Sequence, residues 1–192
     1  MAKPLFIVIG GPNGAGKSTA AAHLIPAQVP YLNADEIAKG LANYPSQSAD
    51  MEASRILLTE IDALEAGRES FAMETTLSSR SLAPRIKRLR GFGYEFRLAF
   101  AYLPSPEMAV LRVAGRVRLG GHDIPEATIH RRCWAGLSNF FELHRPLADR
   151  WYAYNTTSPR PLRLIASGGL GEPDLVEDAL VWRRMQERNR HE

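Results

Sequence analysis

Short apolar runs alternate with longer amphipathic stretches along nearly the whole chain. Leu5 to Ile9 is continuously apolar and stops at Gly10-Gly11, the pattern of a central strand buried on both faces. Ser18 to Ile25 predicts a helix that Pro26 ends, and Val29 to Leu32 is a second apolar run. Asn33 has N-cap chemistry and Glu36 stands at capping-box spacing, which predicts a helix from Ala34 to Leu41. Ser48 to Ala66 reads as a longer amphipathic helix closed by Gly67.

The second half continues the alternation. Ser70 to Glu74 predicts a third strand, and Ser81 to Leu89 a helix with Pro84 in its first turn. Tyr94, Phe96, Leu98, Phe100 and Tyr102 recur at period two, a strand that Pro104 stops. Ser105-Pro106 is an N-cap followed by Pro at the first helical position, opening a helix to Leu119. After Gly120-Gly121, Pro125 starts another helix to Leu143. Trp151 to Asn155 and Leu162 to Ala166 are short strands, and Pro173 is expected to open a terminal helix. Ser167 to Gly171 reads as the strand-to-helix turn before it. Strands alternating with helices imply an α/β fold: three layers, with a mostly parallel central sheet of about five strands. No repeat or linker divides residues 1–192, which read as a single domain.

Composition changes this picture little. The chain has 192 residues, 45% of them apolar and 23% charged, with a net charge of +3. No apolar run approaches the length of a membrane span or a signal peptide. The single cysteine, Cys133, excludes an internal disulfide. A cytoplasmic protein is expected, without a membrane contact. Only four of the basic residues are Lys, a weak basis for a nucleic-acid partner.

The candidate chemistry lies after the first strand. Gly11-Pro12-Asn13-Gly14-Ala15-Gly16-Lys17-Ser18, followed by Thr19, fits the phosphate-binding P-loop in every fixed position. Its glycines let successive backbone N–H groups turn inward, and the next helix adds its positive end. Lys17 brings a full charge to the β- and γ-phosphates, and Ser18 a hydroxyl for Mg2+. The expected cofactors are therefore ATP and Mg2+. A guanine-reading Asn-Lys-x-Asp is absent, and no apolar strand ends in the Asp of a motor-type ATPase; Phe71-Ala72-Met73-Glu74 ends in Glu.

The compact kinase plan remains. Phosphoryl transfer requires positioning, a carboxylate near the acceptor hydroxyl, and cations over the γ-phosphoryl. Asp35, two residues past the Asn33 cap, is the candidate base. Glu74, at a strand's carboxyl end, is a candidate acceptor contact, with Thr75 and Thr76 beside it. Arg112 and Arg116 share a helix face, and of the adjacent Arg131 and Arg132 one can face the site. Gly120 to Pro125 between them reads as a lid with glycine hinges, within a lid region around 112–132.

Together these residues resemble the zeta-toxin-like P-loop kinases. The likeness is carried by the P-loop, Leu32-Asn33-Ala34-Asp35, Met73-Glu74-Thr75-Thr76-Leu77, and Arg116-Val117-Arg118 leading into Gly120-Gly121-His122-Asp123-Ile124-Pro125, with Tyr154-Asn155 late in the chain. It implies an ATP-dependent kinase that phosphorylates a small-molecule hydroxyl, with UDP-N-acetylglucosamine the acceptor of the best-known members. It makes Lys17, Asp35 and Arg116 catalytic, adds Arg118 to the ATP contacts, and gives Asn33, Glu74, Thr75, Thr76 and His122 to the acceptor. An antitoxin protein is the partner it would allow. Two other readings use the same P-loop: a polynucleotide 5′-end kinase, to which Asn33-x-Asp35 is also similar, and a non-catalytic ATP-binding module.

Overall fold

The structure, a computed structural model, describes residues 3–121, 123–158 and 162–190. A seven-stranded sheet forms its middle layer: β1 (Leu5–Gly10), β2 (Tyr31–Leu32), β3 (Phe71–Thr75), β4 (Glu95–Tyr102), β5 (Arg150–Asn155), β6 (Arg163–Gly168) and β7 (Leu175–Val176). The order is β2-β3-β1-β4-β5-β6-β7. The first five are mutually parallel, and β6 and β7 add antiparallel. The helices are α1 (Lys17–Leu24), α2 (Ala34–Lys39), α3 (Gln47–Ala66), α4 (Leu82–Gly91), α5 (Pro106–Arg118), α6 (Glu126–Asn139) and α7 (Ala179–Arg190).

The sheet thus has seven strands where the pattern predicted about five. The excess lies on one edge, where β6 and β7 return antiparallel beyond β5. Ser167 to Gly171 turns strand to strand, not strand to helix, because Leu175-Val176 pairs with Ser167 and Ala166. The terminal helix consequently starts at Ala179 instead of Pro173. The helix predicted to Leu143 keeps its direction but loosens into a π-helical turn at Phe140–His144.

Alternation along β1 sorts the core. Phe6 and Val8 join Phe71, Phe96 and Leu98 against α3, α4 and α6, while Ile7 and Ile9 face α1 through Ala21 with Val29, Ala72 and Ala99. A strand buried on both faces cannot alternate with polar residues, which is why its sequence is a plain apolar run. α7 is fastened by aromatic stacking: Trp182 lies on Trp151 at 5.5 Å, and the Arg145 guanidinium sits over both rings while pairing with Asp174 at 2.8 Å. No helix among the described residues is long and apolar enough to cross a membrane.

One buried group makes this core acid-sensitive. His144 is fully buried, and neither ring nitrogen has a hydrogen-bond partner among the described residues. Burial lowers its pKa from 6.5 to about 4. Above pH 6.5 it is neutral whether folded or unfolded and adds no pH dependence. Below that, the unfolded chain takes up a proton that the folded interior refuses until about pH 4. Stability should therefore fall as pH drops through this window, by about 3 kcal/mol in all. Denaturant melts of wild type and His144→Leu at pH 7 and pH 4.5 would check this. A difference between the two proteins that does not change with pH would refute it.

Candidate functional site

The parallel strands end at one edge of the sheet, and there the P-loop leads from β1 into α1. Gly11 needs its missing side chain: its φ is +142°, and a Cβ would stand 2.4 Å from the Ala101 carbonyl oxygen of β4. Gly16 caps α1, and no side chain caps that end, so its first N–H groups stay available to an anion. Lys17 is buried, with Nζ donating to the Pro12 carbonyl at 3.2 Å. Burial pulls its pKa below the ordinary ammonium range, and the Glu74 and Asp35 carboxylates pull it back up.

Around Ser18 the side chains form a chain of hydrogen bonds. Ser18 Oγ donates to Glu74 Oε2 at 2.8 Å, and the Tyr31 hydroxyl donates to the same oxygen. Asn33 Nδ2 approaches Ser18 Oγ at 3.5 Å. The parallel pairing of β2 with β3 sets Tyr31 beside Ala72 in register, two positions from Glu74. Because Ser18 donates its hydroxyl hydrogen to Glu74 and accepts only the long contact from Asn33, a lone pair of Ser18 Oγ remains for a cation. Burial, and then the bond to Glu74, raise the pKa of Tyr31, so it stays a donor throughout the physiological range. Tyr31→Phe should raise the Mg2+ concentration needed for half-maximal nucleotide binding about tenfold, read by calorimetry of ATP binding across a metal series. An unchanged metal dependence would remove Tyr31 from the site.

Asn33 caps α2 as its sequence predicts, accepting from the Asp35 amide at 2.8 Å. Glu36 does not return to close a capping box; it pairs with Lys39 at 2.6 Å instead. Asp35, free of capping duty, reaches Arg116 at 3.5 Å. This pair is solvent-exposed and therefore weak, about 0–1 kcal/mol, so Arg116 can leave it at little cost. Gly120-Gly121 sets where Arg116 stands. Gly120, at φ +86°, donates its N–H to the Val117 carbonyl, and the Gly121 N–H reaches the Arg116 carbonyl. That is a Schellman end to α5. The glycines read as lid hinges act here as a helix terminator.

Two clefts meet at this point. One, of about 270 Å³, is walled by Asn13, Gly16, Lys17, Ser18, Thr19 and Glu74, with Arg112 and Arg116 opposite. The other, of about 400 Å³, runs between α2, α3 and the end of α5, past Asn33, Glu36, Lys39, Tyr44, Asp50 and Leu119. Ser18, Asp35 and Arg116 line both.

Most of the residues singled out from sequence gather here, with exceptions. Gly11, Pro12 and Ala15 of the P-loop are buried and line neither cleft. Glu74 belongs to the P-loop cleft and not to the second one. Thr75 and Thr76 line neither: Thr75 Oγ1 accepts from the Leu77 amide, and Thr76 bonds Ser78 within the turn after β3. Arg118 lines neither cleft; Arg112 and Arg116, one turn apart on α5, do, because positions two apart on a helix face different ways. Arg132 is the member of its pair that turns inward, reaching Asn13 at 3.4 Å. His122 lies outside the described residues. Sequence reasoning missed Tyr31, Tyr44 and Asp50, which carry no motif and enter only through β2–β3 pairing and α2–α3 packing.

Residues 6–132, from β1 into α6, match the AAA domain family. The chain belongs to the AAA domain family. An uncharacterized protein of Haemophilus influenzae is 30% identical over 122 residues, covering 64% of this chain and 87% of that one. Among solved structures, this AAA domain is similar to a chain of the AvrRxo1-ORF1:-ORF2 complex crystallised with ATP, at TM-score 0.76 and 19% identity, covering 96% of the chain. It spans 64% of that longer chain. A chain of the PezAT chromosomal toxin-antitoxin system of Streptococcus pneumoniae is similar over 100% of this chain and 86% of that one, at TM-score 0.66 and 17% identity. The fold of this AAA domain is accordingly the α/β fold of P-loop kinases, with its mostly parallel sheet.

Proposed function

We propose that this protein is an ATP-dependent phosphotransferase that moves the γ-phosphoryl group of ATP onto a hydroxyl of a small molecule. The observation that carries the reading is the junction of the two clefts at Asp35 and Arg116. A phosphate held in the P-loop cleft and a hydroxyl compound in the second cleft would meet there, with a carboxylate and a guanidinium already in place.

Each residue then has a task. Lys17 and the α1 N-terminus bind the phosphates, while Arg112 braces the P-loop, its guanidinium donating to the carbonyls of Gly14 at 3.3 Å, Thr156 at 2.8 Å and Thr157 at 2.6 Å. Asp35 orients the acceptor hydroxyl and takes its proton as the acceptor oxygen bonds to the γ-phosphorus and the bond to the β-phosphate oxygen breaks, leaving ADP. Arg116 leaves Asp35 for the charge gathering on the transferred group. The donor set around Ser18 suits Mg2+: one hydroxyl oxygen with a lone pair available and one carboxylate. Among the described residues no group of three or more His, Cys, Asp or Glu could hold a metal, so water and phosphate oxygens would have to supply most ligands of an ion here. Ser18 and Glu74 would hold the ion, which when bound neutralises phosphate charge.

The likeness to a chain of a toxin-antitoxin system supports a protein partner that restrains this activity, and isolation of tagged protein from its native cells would identify one. The reaction is tested by mass spectrometry of a metabolite panel incubated with protein, ATP and Mg2+, with UDP-N-acetylglucosamine and a 5′-hydroxyl oligonucleotide included. Lys17→Ala serves as the blank. A gain of one phosphoryl group on a small hydroxyl compound is expected. Transfer to the oligonucleotide alone, or ATP binding with no acceptor modified, would reject the reading.

A further inference from the structure

A groove of about 430 Å³ lies apart from both clefts, between α6 and the segment that joins β3 to α4. Ser78 and Arg80 line it from the segment, and Arg131, Trp134, Ser138 and Asn139 from the helix. The segment is firmly held. Leu77 is buried at φ +57°, a conformation uncommon for any residue but glycine. Its N–H donates to Thr75 Oγ1 at 3.2 Å, and its carbonyl accepts from Nδ2 of the buried Asn139 at 2.8 Å. Beside it the Thr76 carbonyl approaches α6 so closely that a Cβ on Gly136 would stand 2.3 Å from the oxygen. The segment is thus fixed to the helix, and the groove is formed before any ligand arrives.

Its lining holds two guanidiniums and no carboxylate. Arg85, Arg90 and Arg145 each bond a carboxylate at 2.8 to 2.9 Å, whereas Arg80 and Arg131 bond none among the described residues. A third guanidinium, that of Arg188 on α7, lies 5.5 Å over the Trp134 ring. Arg131 does not serve the P-loop, which its neighbour Arg132 reaches through Asn13. Cations gathered without a counter-charge favour an anion, and the planar fork of Arg matches two oxygens of a carboxylate or phosphate at once. The half-buried Trp134 adds an apolar ring surface next to them. The volume lies within the range of small-molecule sites, about 300–1,000 Å³. We propose that this groove binds a small ring compound bearing an oxyanion, its phosphate or carboxylate held between Arg80 and Arg131 and its ring packed on Trp134.

Three probes share a ring and differ in charge: phenyl phosphate, benzoate and benzyl alcohol. Each is titrated into full-length protein loaded with a non-hydrolysable ATP analogue and Mg2+, which keeps the P-loop occupied. Calorimetry and tryptophan fluorescence follow the binding. Trp151 and Trp182 are buried against each other, so a saturable change in fluorescence reports Trp134 and should vanish in Trp134→Phe. The better of the two anionic probes should bind at least about tenfold tighter than benzyl alcohol. Phenyl phosphate ahead assigns a phosphoryl group to the ligand, and benzoate ahead assigns a carboxylate. Arg80→Gln and Arg131→Gln should each weaken that probe at least about fivefold, with analogue binding and melting temperature unchanged, since both side chains are exposed. Arg55→Gln removes the same charge from an exposed position of α3 and should leave the probe's affinity as it was. Equal binding of the neutral probe, an equal loss in Arg55→Gln, a signal that survives Trp134→Phe, or no saturable binding by any probe would overturn the site. The titrations read binding alone, so their result does not depend on phosphoryl transfer.

Discussion

Asp35→Asn should lower kcat by about 10²–10⁴-fold while leaving ATP binding nearly unchanged. The substitution keeps the shape of the side chain and removes its ability to accept the acceptor's proton. Asp35 does not cap α2, since Asn33 does so, and its own contact to Arg116 is an exposed ion pair. Losing that pair costs folding at most about 1 kcal/mol. The loss therefore appears in turnover and not in the melting temperature, and KM for ATP should hardly move because Lys17 and the P-loop remain. Single-turnover phosphoryl transfer together with ATP calorimetry makes the separation. Retained turnover in Asp35→Asn, with Lys17→Ala dead, would take the base role from Asp35. If ATP affinity fell along with turnover, Asp35 would instead be part of the nucleotide site.

Gly11→Ala acts through a different link in the chain from sequence to function. The added methyl would stand 2.4 Å from the Ala101 carbonyl oxygen, in a backbone conformation at φ +142° that L side chains rarely adopt. The contact is with backbone of the central strand β4, paired with β1 along its length, so neither partner can rotate away. Overpacking costs about 1–3 kcal/mol and the backbone conformation about 1–2 more, so a loss of about 4 kcal/mol is expected. The variant should melt far below wild type and bind ATP poorly even where it is folded, because the loop must lift off β4. Chemical denaturation and ATP calorimetry report the two effects separately. A wild-type stability would mean that β1 and β4 give way locally. Ala at Gly16 is the informative control: that position also has a positive φ, but open space surrounds its missing Cβ, so a smaller stability loss is expected there.

Several features of the site were legible along the chain because local rules determine them. The P-loop is contiguous, and its spacing alone sets the phosphate nest. Asn33 before Ala34 and Ser105 before Pro106 both cap their helices as their residue types require. The continuous apolar run of β1 could only be a strand covered on both faces. Where a feature depended on a partner distant in sequence, reading the chain failed or stopped short. Leu175-Val176 is too short to register as a strand until β6 offers it a ladder. Glu36 has the spacing of a capping box but lies three residues before Lys39, and the ion pair takes its side chain.

The same division runs through the functional residues. Sequence alone determined that a phosphate loop stands between the first strand and the first helix, and that Asn33 and not Asp35 caps α2, since both depend on residues within one turn of chain. It also carried the alternating order of elements that makes the sheet mostly parallel. Tertiary structure decided which carboxylate serves which cleft. β3 lies between β1 and β2, and that neighbourhood sends Glu74 to Ser18 and Tyr31 across separations of 56 and 43 residues. The pitch of α5 turned Arg112 and Arg116 inward and Arg118 away. The packing of α2 against α3 brought Asp50 and Tyr44 to the wall of the second cleft. Hydrogen-bond caps and backbone turns are decided by neighbours a few residues away, whereas the charge of a cleft is a sum over elements that meet only after the chain has folded.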